Sequence, residues 1–288
     1  MARIAYVNGR YRPLVKAAVP VEDRGLQFSD GVYEVALALN HRLLDLHRHL
    51  RRLDRSLAEL ELRWPMAKPA FCQMLERLVR LNRLSDAVVY WQVTRGTAPR
   101  DHAFPASPVP PGLIVTVRRF DLAAVAKRQR HGVAVATTAD LRWKRCDIKS
   151  VSLLGNVLAK QHARANGQAE AWMTDSQGVT EGSSTTAWIV RGGSVQTRQL
   201  GADLLPGITR EVVLERAGAL VVEGAFTVEE AIAADEAFMT SSSNFVMPVT
   251  TIDGRCIGDG TPGPVTRALI AAHWDHVTAE TGRVRPAG

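Results

Sequence analysis

Leu46, Leu50, Leu53, Leu57 and Leu60 recur at helical spacing through a run crowded with cations, residues 47–55. Apolar residues at that period put the stretch on an amphipathic helix, with the charges on its outer side. Phe71, Leu75, Leu78 and Leu81 predict a second helix directly after it. Residues 87–95 and 112–117 are rich in β-branched and aromatic side chains and read as strands. At the start of the chain, Asn8-Gly9 supplies the positive-φ turn of a hairpin over residues 5–11. A polar, proline-rich loop, residues 96–111, separates the two strands, and loops of that length are disproportionately functional or flexible.

Residues 121–130 read as a connector, followed by a strand over 133–138 and a helix over 150–165 that stops at Asn166-Gly167. Strands are expected at 169–174, 185–190 and 194–197, with 178–184 as a turn region. A helix at 209–217, a strand at 237–241 and a closing helix at 265–276 complete the pattern. The expectation is an α+β protein of two domains, 1–120 and 121–288.

Bulk properties exclude several classes. The chain has 288 residues, 46% hydrophobic and 23% charged, ordinary for a soluble globular protein. It contains no apolar stretch long enough to span a bilayer, and its first residues lack the apolar core of a signal peptide. Cys72, Cys146 and Cys256 form neither a disulfide framework nor a metal-ligand spacing, so a reduced, cytoplasmic protein without a metal or a membrane partner is expected. The net charge of +7 is compatible with nucleic acid, anionic small molecules or neither. The basic run lacks the interleaved aromatics of a single-strand binder. Most of its arginines read as a solvated helix face, with one directed at an anion.

Chemistry concentrates in a few short segments. Lys149 lies in Cys146-Asp147-Ile148-Lys149-Ser150, and Glu181 in the glycine- and serine-rich turn Thr180-Glu181-Gly182-Ser183-Ser184. A lysine whose amine is neutral attacks an aldehyde, and an ammonium does not. A surface ion pair of Lys149 with Asp147 is the plainer alternative. Gly207-Ile208-Thr209-Arg210 starts a helix where unpaired amides suit phosphate, or is an ordinary capped turn. Thr240-Ser241-Ser242-Ser243 ends a strand with hydroxyls that either bind phosphate or form a turn. Amine, acid, helix-terminal anion site, hydroxyls and an inward arginine together are the parts that a phosphorylated aldehyde cofactor needs.

Across nearly its whole length the sequence resembles the fold-type IV, pyridoxal-phosphate-dependent aminotransferases, and among them the D-amino acid aminotransferases. The resemblance runs through Glu22-Asp23-Arg24-Gly25, Phe28-Ser29-Asp30-Gly31-Val32-Tyr33-Glu34-Val35, Gln92-Val93-Thr94-Arg95-Gly96-Thr97, the lysine and glutamate segments, Gly207-Ile208-Thr209-Arg210 and Asp235-Glu236 with Thr240-Ser241. It implies a two-domain fold with pyridoxal 5'-phosphate at the domain interface. Lys149 matches the lysine that bonds the cofactor and carries a proton to and from the substrate Cα, and Glu181 matches the acid facing the pyridine nitrogen. Arg52, Ile208, Thr209, Ser241 and Ser242 match the phosphate cradle, leaving Arg48, Arg51 and Arg55 to solvent. Leu205 matches the side chain packed on one ring face.

By the same resemblance, Tyr33, Arg100 and His102 form a trap for the substrate carboxylate, with Arg100 and His102 reaching in from the second copy of a homodimer. Tyr90 and Val35 line the side-chain pocket. Transamination between a D-amino acid and a 2-oxo acid is therefore expected. The rivals are a branched-chain L-aminotransferase, an aminodeoxychorismate lyase and an R-amine transaminase of the same fold, and, outside it, a basic nucleic-acid-binding protein. His273 and His276, three apart, are expected as an exposed pair on the closing helix.

Overall fold

The computed structural model describes residues 3–217 and 221–286. The chain divides into two compact units. One takes the chain up to Asp121 together with Ile148–Ser152 and Glu280–Arg283; the other takes Leu122–Asp147, Leu153–Ala279 and the chain from Val284.

In the first unit, six strands form one antiparallel sheet in the order Arg10–Pro13, Ile4–Val7, Gly112–Arg119, Ala87–Thr94, Gly31–Leu39, Arg42–Leu43. Asn8 and Gly9 have φ of 46° and 88°, the values a two-residue hairpin requires. The leucine-spaced helix is Leu46–Glu59, and the second is Lys68–Asn82, opened by Pro69 near its start. Both lay their apolar stripes on the sheet. Leu53, Leu57, Phe71, Leu75 and Leu78 form one buried cluster with Val32, Ala36, Val89, Trp91, Val93 and Val115. Each buried valine, leucine or phenylalanine among them contributes roughly 1.5–3 kcal/mol by leaving water.

Strand side chains alternate between faces. Val32, Glu34 and Ala36 therefore face the helices, while Tyr33 and Val35 occupy the other face and are only half-buried. Register sets Tyr33 opposite Gln92 and Val35 opposite Tyr90, so the half-buried residues of neighbouring strands share that second face.

The second unit is built on a sheet ordered Val221–Glu223, Ser194–Thr197, Thr186–Arg191, Glu236–Ser241, Phe245–Ile252, Val133–Ala139, Glu170–Asp175, Gly178–Gly182, with Arg255–Cys256 on the side of Phe245–Ile252. Trp188 stacks on Phe238 at 5.3 Å, and its indole donates to Thr240 Oγ1. Helix Leu154–Ala165 seats Ala159 and Ala163 against Ala136, Ala171 and Met173 of two parallel strands.

Several sequence expectations change. Residues 121–130 are no connector: Leu122–His131 is a helix, burying Leu122, Val125, Ala126 and Gln129 at helical spacing. The turn expected at 178–184 contains the strand Gly178–Gly182, paired with Glu170–Asp175. The helix expected from residue 150 begins at Leu154. The residues before it stay outside the helix, because Ser150 bridges to Val32 and Val151 N–H donates to the Gly31 carbonyl. Those pairings also group Lys149 with the first unit, whereas the sequence reading assigned it to the second domain. Arg48 is not solvent-facing but pairs with Asp45 at 3.3 Å. His273 and His276 are buried, with His273 packed on Phe245, so they are not an exposed pair.

Candidate active site

Lys149 lies in a strip anchored on both sides. Its carbonyl accepts from Tyr33 N–H at 2.9 Å, and its own N–H donates to Ser56 Oγ at 3.3 Å. The amine is aimed at the half-buried face of the sheet, with Nζ 4.3 Å from the Tyr33 ring centroid. Tyr33 in turn meets Tyr90 at 5.6 Å, and Tyr90 donates to Gln92 Oε1 at 2.7 Å. Burial, then the neighbouring Tyr33, push the Tyr90 phenol up to about 12, so it remains a hydroxyl donor at any working pH. Lys149, Tyr33, Val35 and Tyr90 therefore belong to one face. The surface ion pair does not form: Asp147 takes Arg145 at 3.0 Å.

Arg52 is buried and grips Glu34 with two hydrogen bonds of 2.7 Å, from Nε and Nη2. His49 Nδ1 lies 2.7 Å from the same carboxylate. Burial by itself raises the Glu34 carboxyl, but the charge and hydrogen bonds of Arg52, then of His49, outweigh it and bring it to about 2. The triad fixes the arginine expected at the phosphate. Glu34 and His49 were not recognised from sequence, although an acid on a strand face otherwise lined by valine and alanine was a signal.

Arg100 and His102 are exposed on the 96–111 loop and sit against Phe28, with the Arg100 guanidinium carbon 4.6 Å from that ring.

In the second unit, Glu181 accepts a hydrogen bond from Arg142, and its other oxygen accepts from Leu205 N–H at 3.4 Å. Arg142 also grips Asp140 through Nε and Nη2 and donates to the Asp203 carbonyl. Burial raises the Asp140 carboxyl, but hydrogen bonds from Arg142 and Thr180 and the guanidinium charge hold it below its ordinary value. A buried arginine thus clamps the acid, and sequence reading missed it. The nearby Cys146 thiol is pushed up by burial to about 11.

Gly207 leads into helix Ile208–Ala217, whose first amides have no acceptor within the helix. The space there is tight: a Cβ would lie 3.0 Å from Thr186 Oγ1, so a larger residue would need that side chain to shift. Thr186 pairs with Thr240, which brings the helix start beside the strand that ends in Ser241. Ser241 Oγ accepts from Asn244, while Ser242 is half-buried. The Thr185 hydroxyl, buried four residues after Glu181, has no hydrogen-bond partner among the described residues. Amides, hydroxyls and an unpartnered buried donor fit a phosphorylated cofactor. No cluster of three or more metal-ligating side chains occurs among the described residues, and no helix among them is long and apolar enough to cross a membrane.

A family model described as amino-transferase class IV matches residues 31–252. The chain belongs to that family. This class-IV aminotransferase is 40% identical over 279 residues to the D-alanine aminotransferase of Bacillus licheniformis, covering 96% of this chain and 98% of the relative. It is 37% identical to the D-alanine aminotransferase of Staphylococcus haemolyticus, covering 92% and 94% of the two chains. Among solved structures, a T.th. branched-chain amino acid aminotransferase with pyridoxamine 5'-phosphate superimposes with a TM-score of 0.87 at 27% identity, covering 98% of this chain and 95% of that one. The branched-chain aminotransferase of Thermoproteus uzoniensis gives 0.85 at 26% identity, covering 98% and 96%. The mixed α/β fold, in two units, is thus that of the fold-type IV aminotransferases.

Proposed function

We infer that this aminotransferase moves the amino group between a D-amino acid and a 2-oxo acid, using pyridoxal 5'-phosphate. The observation that carries the reading is Lys149, an amine held by backbone pairing over Tyr33, with Tyr90 beside it and no carboxylate partner among the described residues. The likeness to D-alanine aminotransferases supports the D-amino acid class.

When bound, the cofactor supplies an aldehyde that takes up the amino group and a ring that takes up the electron pair released at the substrate Cα. Lys149 Nζ is the base that removes the Cα proton and the acid that returns it, and the Tyr33 ring stabilises the amine while it carries the proton. Arg52, Ile208, Thr209, Ser241 and Ser242 would hold the phosphate, and Leu205 would pack on the ring. Glu181, kept in place by Arg142, would face the ring nitrogen. Tyr33, Arg100 and His102 receive the substrate carboxylate, and a guanidinium suits that planar group by two-point contact. Val35 and Tyr90 border its side chain.

We also infer a homodimer, with Arg100 and His102 supplied by the second copy. Helix Leu154–Ala165 exposes Leu154, Val157 and Leu158 at 71%, 57% and 54%, and Leu141 and Trp143 add to the exposed apolar surface. An apolar face of this kind supports self-association. Three free cysteines support a reducing, cytoplasmic setting.

A panel of D-alanine, L-leucine and (R)-1-phenylethylamine, each with 2-oxoglutarate, tests the substrate class. Turnover of D-alanine with formation of pyruvate is expected. Activity confined to L-leucine would point to the branched-chain L-amino acid reading, which the fold shares, and would end this one.

A further inference from the structure

We propose that Phe28 is a positioning residue for carboxylate recognition: its ring holds the side chains of Arg100 and His102, and Arg24 ties down the backbone that carries them. This rests on the reading of Arg100 and His102 as the carboxylate pair.

Phe28 ends the short helix Arg24–Phe28 and is half-buried. Three groups surround its ring. The Arg24 and Arg100 guanidinium carbons lie 4.8 Å and 4.6 Å from its centroid, and the His102 ring 5.3 Å from it at a tilt of 54°. Arg24 is 3% exposed and reaches the loop directly, donating from Nη1 to the Asp101 carbonyl at 2.6 Å and from Nη2 to the His102 carbonyl at 3.4 Å. Its Nε donates to Asp30 at 2.8 Å. Asp30 also accepts from Arg95, which in turn donates to the Leu60 carbonyl at 2.7 Å and lies 3.6 Å from the Phe104 ring. The loop is therefore fastened at its backbone by Arg24, and at its side chains by Phe28 and Arg95.

An exposed arginine has many rotamers, and a substrate that binds it must first lose them. An aromatic face attracts a guanidinium and restricts those rotamers before the substrate arrives. Ordering completed in advance strengthens binding without touching the reacting atoms. Phe28 therefore acts on affinity for the carboxylate, not on proton transfer at Lys149.

The test compares Phe28→Leu, Phe28→Tyr and Arg24→Lys with the wild type, as the cofactor-loaded protein, by steady-state kinetics and by the rate of tryptic cleavage after Arg100. Phe28→Leu keeps an apolar side chain and removes the aromatic face; KM for D-alanine and for 2-oxoglutarate should rise about three- to tenfold. Loss of binding alone leaves kcat within about twofold. Phe28→Tyr should restore KM. Arg24→Lys keeps the charge but loses the two-carbonyl fork, and should speed cleavage at Arg100. Unchanged KM in a folded, active Phe28→Leu protein overturns the proposal, as does an equal fall of kcat and kcat/KM with cleavage unaltered. If Phe28→Leu does not fold, Phe28→Met carries the same comparison. A wild type inactive on D-alanine overturns the functional reading and this proposal's substrate clause together, while the cleavage rates still decide whether the loop is tied.

Discussion

Replacing Glu34 by glutamine isolates the buried charge pair beneath the sheet. The substitution keeps the shape of the side chain and removes the negative charge to which Arg52 donates twice at 2.7 Å and His49 once. Glu34 is 0% exposed, so water cannot replace what is lost. Removing one partner of a buried ion pair costs about 3–5 kcal/mol. The shift of the Glu34 carboxyl from 4.5 to about 2 corresponds independently to a contribution on the order of 3 kcal/mol. The melting temperature should fall by on the order of 10 °C at neutral pH, read by circular dichroism or calorimetry.

The pH dependence carries a second check. A carboxyl lowered on folding contributes stability that is fully present above its unfolded value and is lost as pH falls through its folded one. The gap between wild type and Glu34→Gln should therefore be constant from neutral pH down to about 5 and close as the pH drops toward about 2. Because Arg52 is also the expected phosphate contact, Glu34→Gln should release pyridoxal phosphate faster, measured by dialysis. A neutral-pH gap below about 1 kcal/mol, the size of a surface pair, would refute the reasoning. So would a gap that persists unchanged at pH 3.

Lys149→Ala should abolish transamination while leaving the circular dichroism spectrum near that of the wild type, and retained turnover removes its proposed role. Glu181→Gln should lower kcat by about 10²–10³-fold, the scale of losing one charge-stabilising group in an active site, and a change under about threefold would leave the acid without that function. Cys146, its thiol at about 11, should alkylate slowly at neutral pH and about tenfold faster per pH unit on the way up, whereas exposed Cys256 is labelled first; mass spectrometry distinguishes the two. Leu158→Glu places a charge on the exposed apolar face of helix Leu154–Ala165 and should shift sedimentation toward the monomer, and unchanged sedimentation would move the self-association surface elsewhere.

Periodic signals and turn chemistry were legible in the chain itself. The leucines from Leu46 to Leu57 could only form an amphipathic helix, and Asn8-Gly9 could only form a tight hairpin, because both depend on neighbours within a few residues. The same local logic was available at Leu122, Val125, Ala126 and Gln129, where a helix reads as clearly in hindsight. Motifs of the family, short and local in sequence, single out Lys149, Glu181, Arg52 and Thr209. What remained hidden depends on long-range pairing. Residues 150–152 look helical, yet they stay outside the helix because Ser150 and Val151 pair with Val32 and Gly31 of strand Gly31–Leu39, partners that only the folded sheet supplies.

The sequence alone determined which side chains can do chemistry here, since an amine, an acid, an arginine and a glycine-led helix start are properties of residue type and short spacing. Tertiary structure decided what holds them. Glu34 lies 18 residues from Arg52, Arg142 lies 39 from Glu181, and Arg24 lies 77 from Asp101. Each of these arginines meets its acceptor, a carboxylate in the first two cases and a backbone carbonyl in the third, only once the unit that holds both has folded. Burial of Glu34 and Glu181 then favours the pairing: an unpaired charge inside the protein costs far more than a paired one.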